Sequence, residues 1–160
     1  MRFTYSTYLP FKVLGIFVGS ICAGACSSDS ADLPKGWDGA SRVTQFVQEV
    51  CAGSENFANE RAAFTGDVNA VSISYEEAHF RCEQDVEGYF KTTDDTLDIL
   101  VQPIDMHPTA VAGCDCGYNI TFTVTSLSAG TRQTTLYRRW DAMNEPNDPV
   151  QIATGSVTVK

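Results

Sequence analysis

Hydrophobic and polar residues alternate along much of this chain. From Phe80 the even positions are Phe80, Cys82, Gln84, Val86, Gly88 and Phe90, while Arg81, Glu83, Asp85 and Glu87 fill most odd ones. From Cys114 the even set is Cys114, Cys116, Tyr118, Ile120, Phe122 and Val124, opposed by Asp115, Asn119, Thr121, Thr123 and Thr125. A period of two sends alternate side chains to opposite faces of a strand, whereas a helical period would mix them. Both segments are therefore predicted as half-buried strands.

Weaker alternation predicts strands at 71–75, 97–101, 134–140 and 151–159. Residues 43–50 fit two templates: Val43, Phe46, Val47 and Val50 make a helical stripe, but their β-branched content suits a strand. A strand is preferred because every later segment is β. Thr92-Thr93-Asp94-Asp95 and Ser128-Ala129-Gly130-Thr131 have the composition of tight hairpin turns. The expected fold is all-β, an antiparallel immunoglobulin-like β-sandwich of about seven strands over residues 41–160. Leu127 to Thr131 and the strand after it resemble a late hairpin of fibronectin-type and other immunoglobulin-like domains. The Cys, Trp, Cys pattern and the tyrosine corner are absent, so that resemblance concerns architecture.

The N-terminus follows another rule. Arg2 and Lys12 are the only charges before an apolar run over 13–22, too short to span a bilayer, and Ala23-Gly24-Ala25-Cys26 follows it. Residues 1–25 are expected to be a signal peptide. Two processing routes fit: ordinary cleavage to a secreted form, or cleavage at a junction that resembles the lipobox of bacterial lipoproteins, with Ala23 where Leu is usual. Cysteine parity favours the second. Removal of Cys22 leaves Cys26, Cys51, Cys82, Cys114 and Cys116. If Cys26 carries diacylglycerol, an even four remain for two disulfides in an oxidising compartment. By resemblance to the lipoprotein sorting rule, Ser27 points to the outer membrane of a two-membrane envelope. Residues 26–40 are polar and turn-rich, and read as the lipidated cysteine with a flexible tether, on which Trp37 either marks the first docking point on the core or sits at the membrane interface.

Charge narrows the partners. Eleven basic residues less Arg2 and Lys12 stand against 20 acidic ones, giving the mature chain a net charge of about −11. Such a surface repels nucleic acid, so membrane attachment would come from acyl chains and not from a basic patch.

Cys114 and Cys116 share one face of a strand about 6.5 Å apart, too far for mutual pairing. The preferred arrangement bridges Cys82 to Cys114 or Cys116 and gives Cys51 the other; the choice between them stays open. A competing reading is zinc held by His79, Cys82, Cys114 and Cys116, a formal Cys3His tetrahedron. Export favours disulfides over thiolates.

Strand parity supplies a second candidate. If 97–101 runs upward, the connections 102–113 and 141–149 bring Asp105, His107, Asp141, Glu145 and Asp148 to one end, and a turn near 76–79 would add Glu76, Glu77 and His79. Asp105, His107, Asp141, Asn144, Glu145 and Asp148 form the expected ligand-binding set, and the oxygen-rich run 141–148 raises calcium as a ligand. That run lacks the register of a known calcium loop and also reads as an ordinary solvated loop shaped by Pro146 and Pro149. Arg138-Arg139-Trp140 offers a cation and an aromatic ring to a glycan or envelope protein, or else serves surface pairing and core. No G-x-S-x-G, H-E-x-x-H, phosphate-binding or dinucleotide motif occurs, so no catalytic residue or enzyme activity is expected.

Ala78-His79-Phe80-Arg81-Cys82, Cys114-Asp115-Cys116-Gly117-Tyr118-Asn119-Ile120 and Tyr137-Arg138-Arg139-Trp140-Asp141 together resemble a group of uncharacterised exported bacterial lipoproteins, including myxobacterial ones, across residues 70–159. The resemblance implies a β-domain in the cell envelope and supplies no catalytic residue. The expectation is a membrane-anchored binding module or a structural accessory domain of an envelope complex.

Overall fold

The computed structural model describes residues 32–51, 59–143 and 147–160. Among them nine strands form a β-sandwich: β1 (Ser41–Arg42), β2 (Gln45–Gln48), β3 (Arg61–Asp67), β4 (Ala70–Arg81), β5 (Val86–Thr92), β6 (Thr96–Pro103), β7 (Asp115–Thr125), β8 (Gly130–Arg138) and β9 (Val150–Val159). One sheet has the order β1-β5-β6-β8-β9 and the other β2-β7-β4-β3. All neighbours are antiparallel except β6 and β8, which run parallel. The two-layer all-β architecture is the one that alternation implied, with nine strands in place of about seven.

The inward positions supply the core. Val71, Ile73, Tyr75 and Phe80 of β4 and Ile120, Phe122 and Val124 of β7 face Leu97, Ile99 and Val101 of β6 and Leu136 of β8. Within the ambiguous segment 43–50, residues 45–48 form a strand, and the stretch from β1 through β2 serves both sheets. β1 pairs with β5, Val43 turns inward and donates to the Gly88 carbonyl at 2.8 Å, and β2 pairs with β7. At the far margin β3 meets β9, and a Cβ on Gly66 would overlap the Thr158 carbonyl. Glycine is required there by close approach.

Three expectations are corrected, and one strand is added. Residues 80–90 are not one strand: β4 ends at Arg81, a turn with Glu83 at positive φ follows, and β5 starts at Val86. The even–odd pattern runs unbroken through that turn, so alternation alone could not reveal it. The turn expected near 76–79 is a bulge within β4, where pairing to β7 slips between Tyr75 and Ala78 and Glu77 has φ 55°. Ser128 to Thr131 closes no hairpin, since β7 and β8 belong to different sheets. β3 was not anticipated, because Ala62, Phe64 and Gly66 make a weakly apolar face on an edge strand.

Residues 32–40, read as tether, lie on the outer face of the five-stranded sheet. Trp37 packs with Tyr89 and Leu100, supported by Leu33, Ala40 and Tyr137. Its ring meets Tyr137 edge-on at 5.9 Å, and Lys91 Nζ sits 4.5 Å from the Trp37 centroid. Turns closed by Trp37 N–H to Pro34 O and Ala40 N–H to Trp37 O fold the segment back into β1. This cover explains why Ile99-Leu100-Val101 is apolar on consecutive positions: both faces of β6 are buried.

Candidate functional site

Strand directions define two ends. At one, which we term the turn end, short connections join β3 to β4, β5 to β6 and β7 to β8. At the other, the loop end, lie the 82–85 turn and the longer connections 104–114 and 139–149.

The disulfides belong to the loop end. Cys51 is bonded to Cys116 and Cys82 to Cys114, with Cα separations of 5.8 and 5.6 Å. This is one of the two pairings left open by the sequence, and Cys114 and Cys116 are not bonded to each other. The first bridge ties the chain after β2 to β7. The second ties the 82–85 turn to the foot of the 104–114 loop, beside a Cys82 N–H to Cys114 O bond of 3.0 Å. Bonded in pairs, the four sulfurs are not thiolates, so the Cys3His zinc tetrahedron is not formed. His79 instead lies 3.3 Å from the Asp115 carboxylate and meets Trp140 edge-on at 4.8 Å.

Asp141 is fully buried. Its Oδ2 accepts from Arg81 Nε at 3.1 Å and Gln84 Nε2 at 2.9 Å, and its Oδ1 accepts from the Met143 N–H at 2.9 Å. The carboxylate therefore fastens the 139–149 loop to the 82–85 turn and is not presented to a ligand. This corrects its place in the ligand set and in the calcium reading. Asp105 caps its own loop by accepting from the His107 N–H. His107 pairs with the Asp32 carboxylate, and its side chain is exposed. Asp148 is exposed, whereas Asn144 and Glu145 lie outside the described residues, as does Cys26. The structure thus brings Asp105, His107 and Asp141 to one end, as strand parity implied, but turns them to different tasks. Glu76 and Glu77 sit in the β4 bulge, and Glu76 pairs with Arg61 on the neighbouring strand.

Arg138 and Arg139 are buried and form no open platform with Trp140. Arg138 points between the sheets. Its Nε lies 3.1 Å from Glu60, its Nη1 donates to the His79 carbonyl, and its guanidinium stacks 4.8 Å from the Trp140 ring. Glu60 also accepts from the Tyr75 hydroxyl and the His79 N–H. Burial, and then the Glu60 carboxylate, push the Tyr75 hydroxyl well above its ordinary pKa, which keeps it a donor. Arg139 Nη1 donates to the Asp32 carbonyl at 2.6 Å and Arg139 Nε to the Asn147 carbonyl at 3.0 Å, joining the N-terminal segment to the 139–149 loop. Sequence reasoning missed Glu60 and Asp32. Each pairs with a residue far along the chain, and no spacing signals that.

Two shallow clefts flank the 82–85 turn. One, of about 370 Å³, is lined by Arg81, Asp85, Ile104, Asp105, Pro108 and Val111. The other, of about 310 Å³, is lined by Gln48, Val50, Glu83, Gln84 and Tyr118. Of the expected ligand set only Asp105 lines the first cleft. Its walls offer carboxylates beside apolar side chains. Among the described residues no three His, Cys, Asp or Glu side chains are grouped to hold a metal ion. No protein-family model, curated protein or solved structure matches this chain.

Proposed function

We propose that this chain is an exported lipoprotein, anchored through diacylglycerol on Cys26, whose β-sandwich is a non-enzymatic interaction module of the cell envelope. One observation carries the reading: the domain pairs Cys51 with Cys116 and Cys82 with Cys114. Once a signal peptide containing Cys22 is removed, Cys26 is the single cysteine without a disulfide partner, and it stands at the lipobox-like junction. Two bridges also suit an oxidising compartment outside the cytosol. The non-enzymatic half of the reading rests on how the loop-end groups are used. Asp141, Arg138, Arg139 and Glu60 spend their polar atoms on internal contacts. An envelope protein or glycan is the proposed partner class.

Expression of the full chain in a lipoprotein-processing bacterium, with unreduced intact-mass analysis, tests this. The expected product begins at Cys26, carries acyl chains and holds two disulfides. Cys26→Ser should yield a folded domain in the soluble fraction. A mature chain with an unmodified Cys26 thiol would refute the anchor.

A further inference from the structure

The described chain begins at the loop end. Asp32 is held there by Arg139 and Gln102 through its carbonyl and by His107 through its carboxylate. Cys26 precedes Asp32 by six residues, a span of at most about 20 Å. An anchor on Cys26 therefore leaves the domain from this end, and the far end cannot reach the same membrane plane without detaching Asp32.

The same end carries exposed apolar side chains from four separate segments. Val50 is 91% exposed, Met143 56%, Ile104 53% and Val150 47%. Their common location follows from the pairing. Val150 stands opposite Arg138, which stands beside Val101. Ile104 lies just beyond, its N–H donating to the Asp85 carbonyl. Met143 follows Ala142, which donates to the Met106 carbonyl. Val50 precedes the Cys51–Cys116 bridge and lines the cleft shared with Glu83 and Gln84. Isolated exposed aliphatic residues are ordinary. Here they share the end from which the chain departs toward its anchor.

We infer that the loop end is the face turned to the lipid, with Val50, Ile104, Met143 and Val150 resting in the interface of a zwitterionic bilayer and the turn end directed away from it. The inference rests on the lipoprotein reading and adds to it an orientation. Zwitterionic lipid is specified because Glu83, Asp85, Asp105 and Asp148 are exposed at this end and would be repelled by anionic headgroups. The acyl chains hold the domain at the surface, and the aliphatic side chains fix which way it faces. A partner protein would then meet the turn end or the outer face of the four-stranded sheet, and not the clefts beside the 82–85 turn.

The test uses the full acylated chain on phosphatidylcholine vesicles containing doxyl-labelled lipid. An environment-sensitive fluorescent amino acid is introduced at position 143 or, as the opposite-end control, at position 68, where Val68 is 65% exposed. Acylation and both disulfides are verified by mass in each sample, which separates the anchor from the orientation. Quenching at 143 should exceed that at 68 several-fold, and it should weaken when phosphatidylserine replaces part of the phosphatidylcholine. Equal quenching at the two positions in verified acylated protein, or stronger quenching at 68, overturns the orientation and leaves the anchor standing. Absence of acylation overturns both. The Cys26→Ser protein bearing the same label at 143 should show no quenching; if it is quenched as strongly, soluble protein inserts unaided and the tether does not set the orientation.

Discussion

The two ends of the sandwich solve the same problem with different chemistry. At the turn end three connections are short, and one buried residue, Arg132, secures two of them. Its Nη1 donates to the Thr93 and Asp94 carbonyls and its Nη2 to the Ser128 carbonyl and hydroxyl. At the loop end a four-residue turn, 82–85, is joined by two long connections, 104–114 and 139–149. They are held by two disulfides, by the Arg81–Asp141 pair and by Arg138 with Glu60. A short turn has little conformational freedom to lose, so a few hydrogen bonds suffice. A long loop loses more, and covalent bridges act on the unfolded chain as well as on the folded one. Exposed charge and aliphatic surface can then be carried on loops whose backbones are fixed from within.

That contrast gives an order of effects. Replacing the Cys51–Cys116 bridge by serines should cost the most, about 4 kcal/mol for a closed loop of this size, with the bonded residues 65 apart. Urea unfolding without reductant measures it, and a loss no larger than that of a surface substitution would mean that the loop end does not depend on its bridges.

Asp141→Ala should come second. It removes the carboxylate that Arg81 and Gln84 share and should cost about 3 kcal/mol, the low end for a broken buried pair because Arg81 retains some exposure. The 139–149 loop should also become susceptible to limited proteolysis while the opposite end stays intact. Arg132→Met should come third, at about 1–2 kcal/mol, since the freed turn carbonyls lie near solvent and can be hydrated. If Arg132→Met proves as damaging as Asp141→Ala in thermal melts, the two ends are held with equal strength and the comparison fails.

Much of the fold was legible because alternation is a local property. Phe80, Tyr118, Ile120, Phe122 and Val124 are inward where the even positions said they would be. Strand parity also carried Asp105, His107 and Asp141 to one end. The site was less legible. Nothing near Asp141 in sequence indicates that Arg81 and Gln84, some sixty residues earlier, would claim its carboxylate. Nor does Arg138-Arg139-Trp140, which reads equally well as a surface platform, show that Arg138 turns inward to Glu60. The turn at 82–85 was concealed because its residues continue the polar–apolar rhythm of the strands on either side.

By itself the sequence determined that the domain is β, which side chains face inward on its stronger strands, that Cys114 and Cys116 are not partners, and that Cys26 follows a signal-like segment. Each of these depends on spacing along a single stretch of chain or on a count. Only the tertiary structure decided that β7 and β8 lie in different sheets, that β8 runs parallel beside β6, that Cys51 takes Cys116, and that residues 32–40 cover one sheet. These are matters of pairing between distant segments. The free energy of such pairing comes from complementary surfaces that no local pattern encodes, because a strand with one apolar face satisfies it equally well against several neighbours.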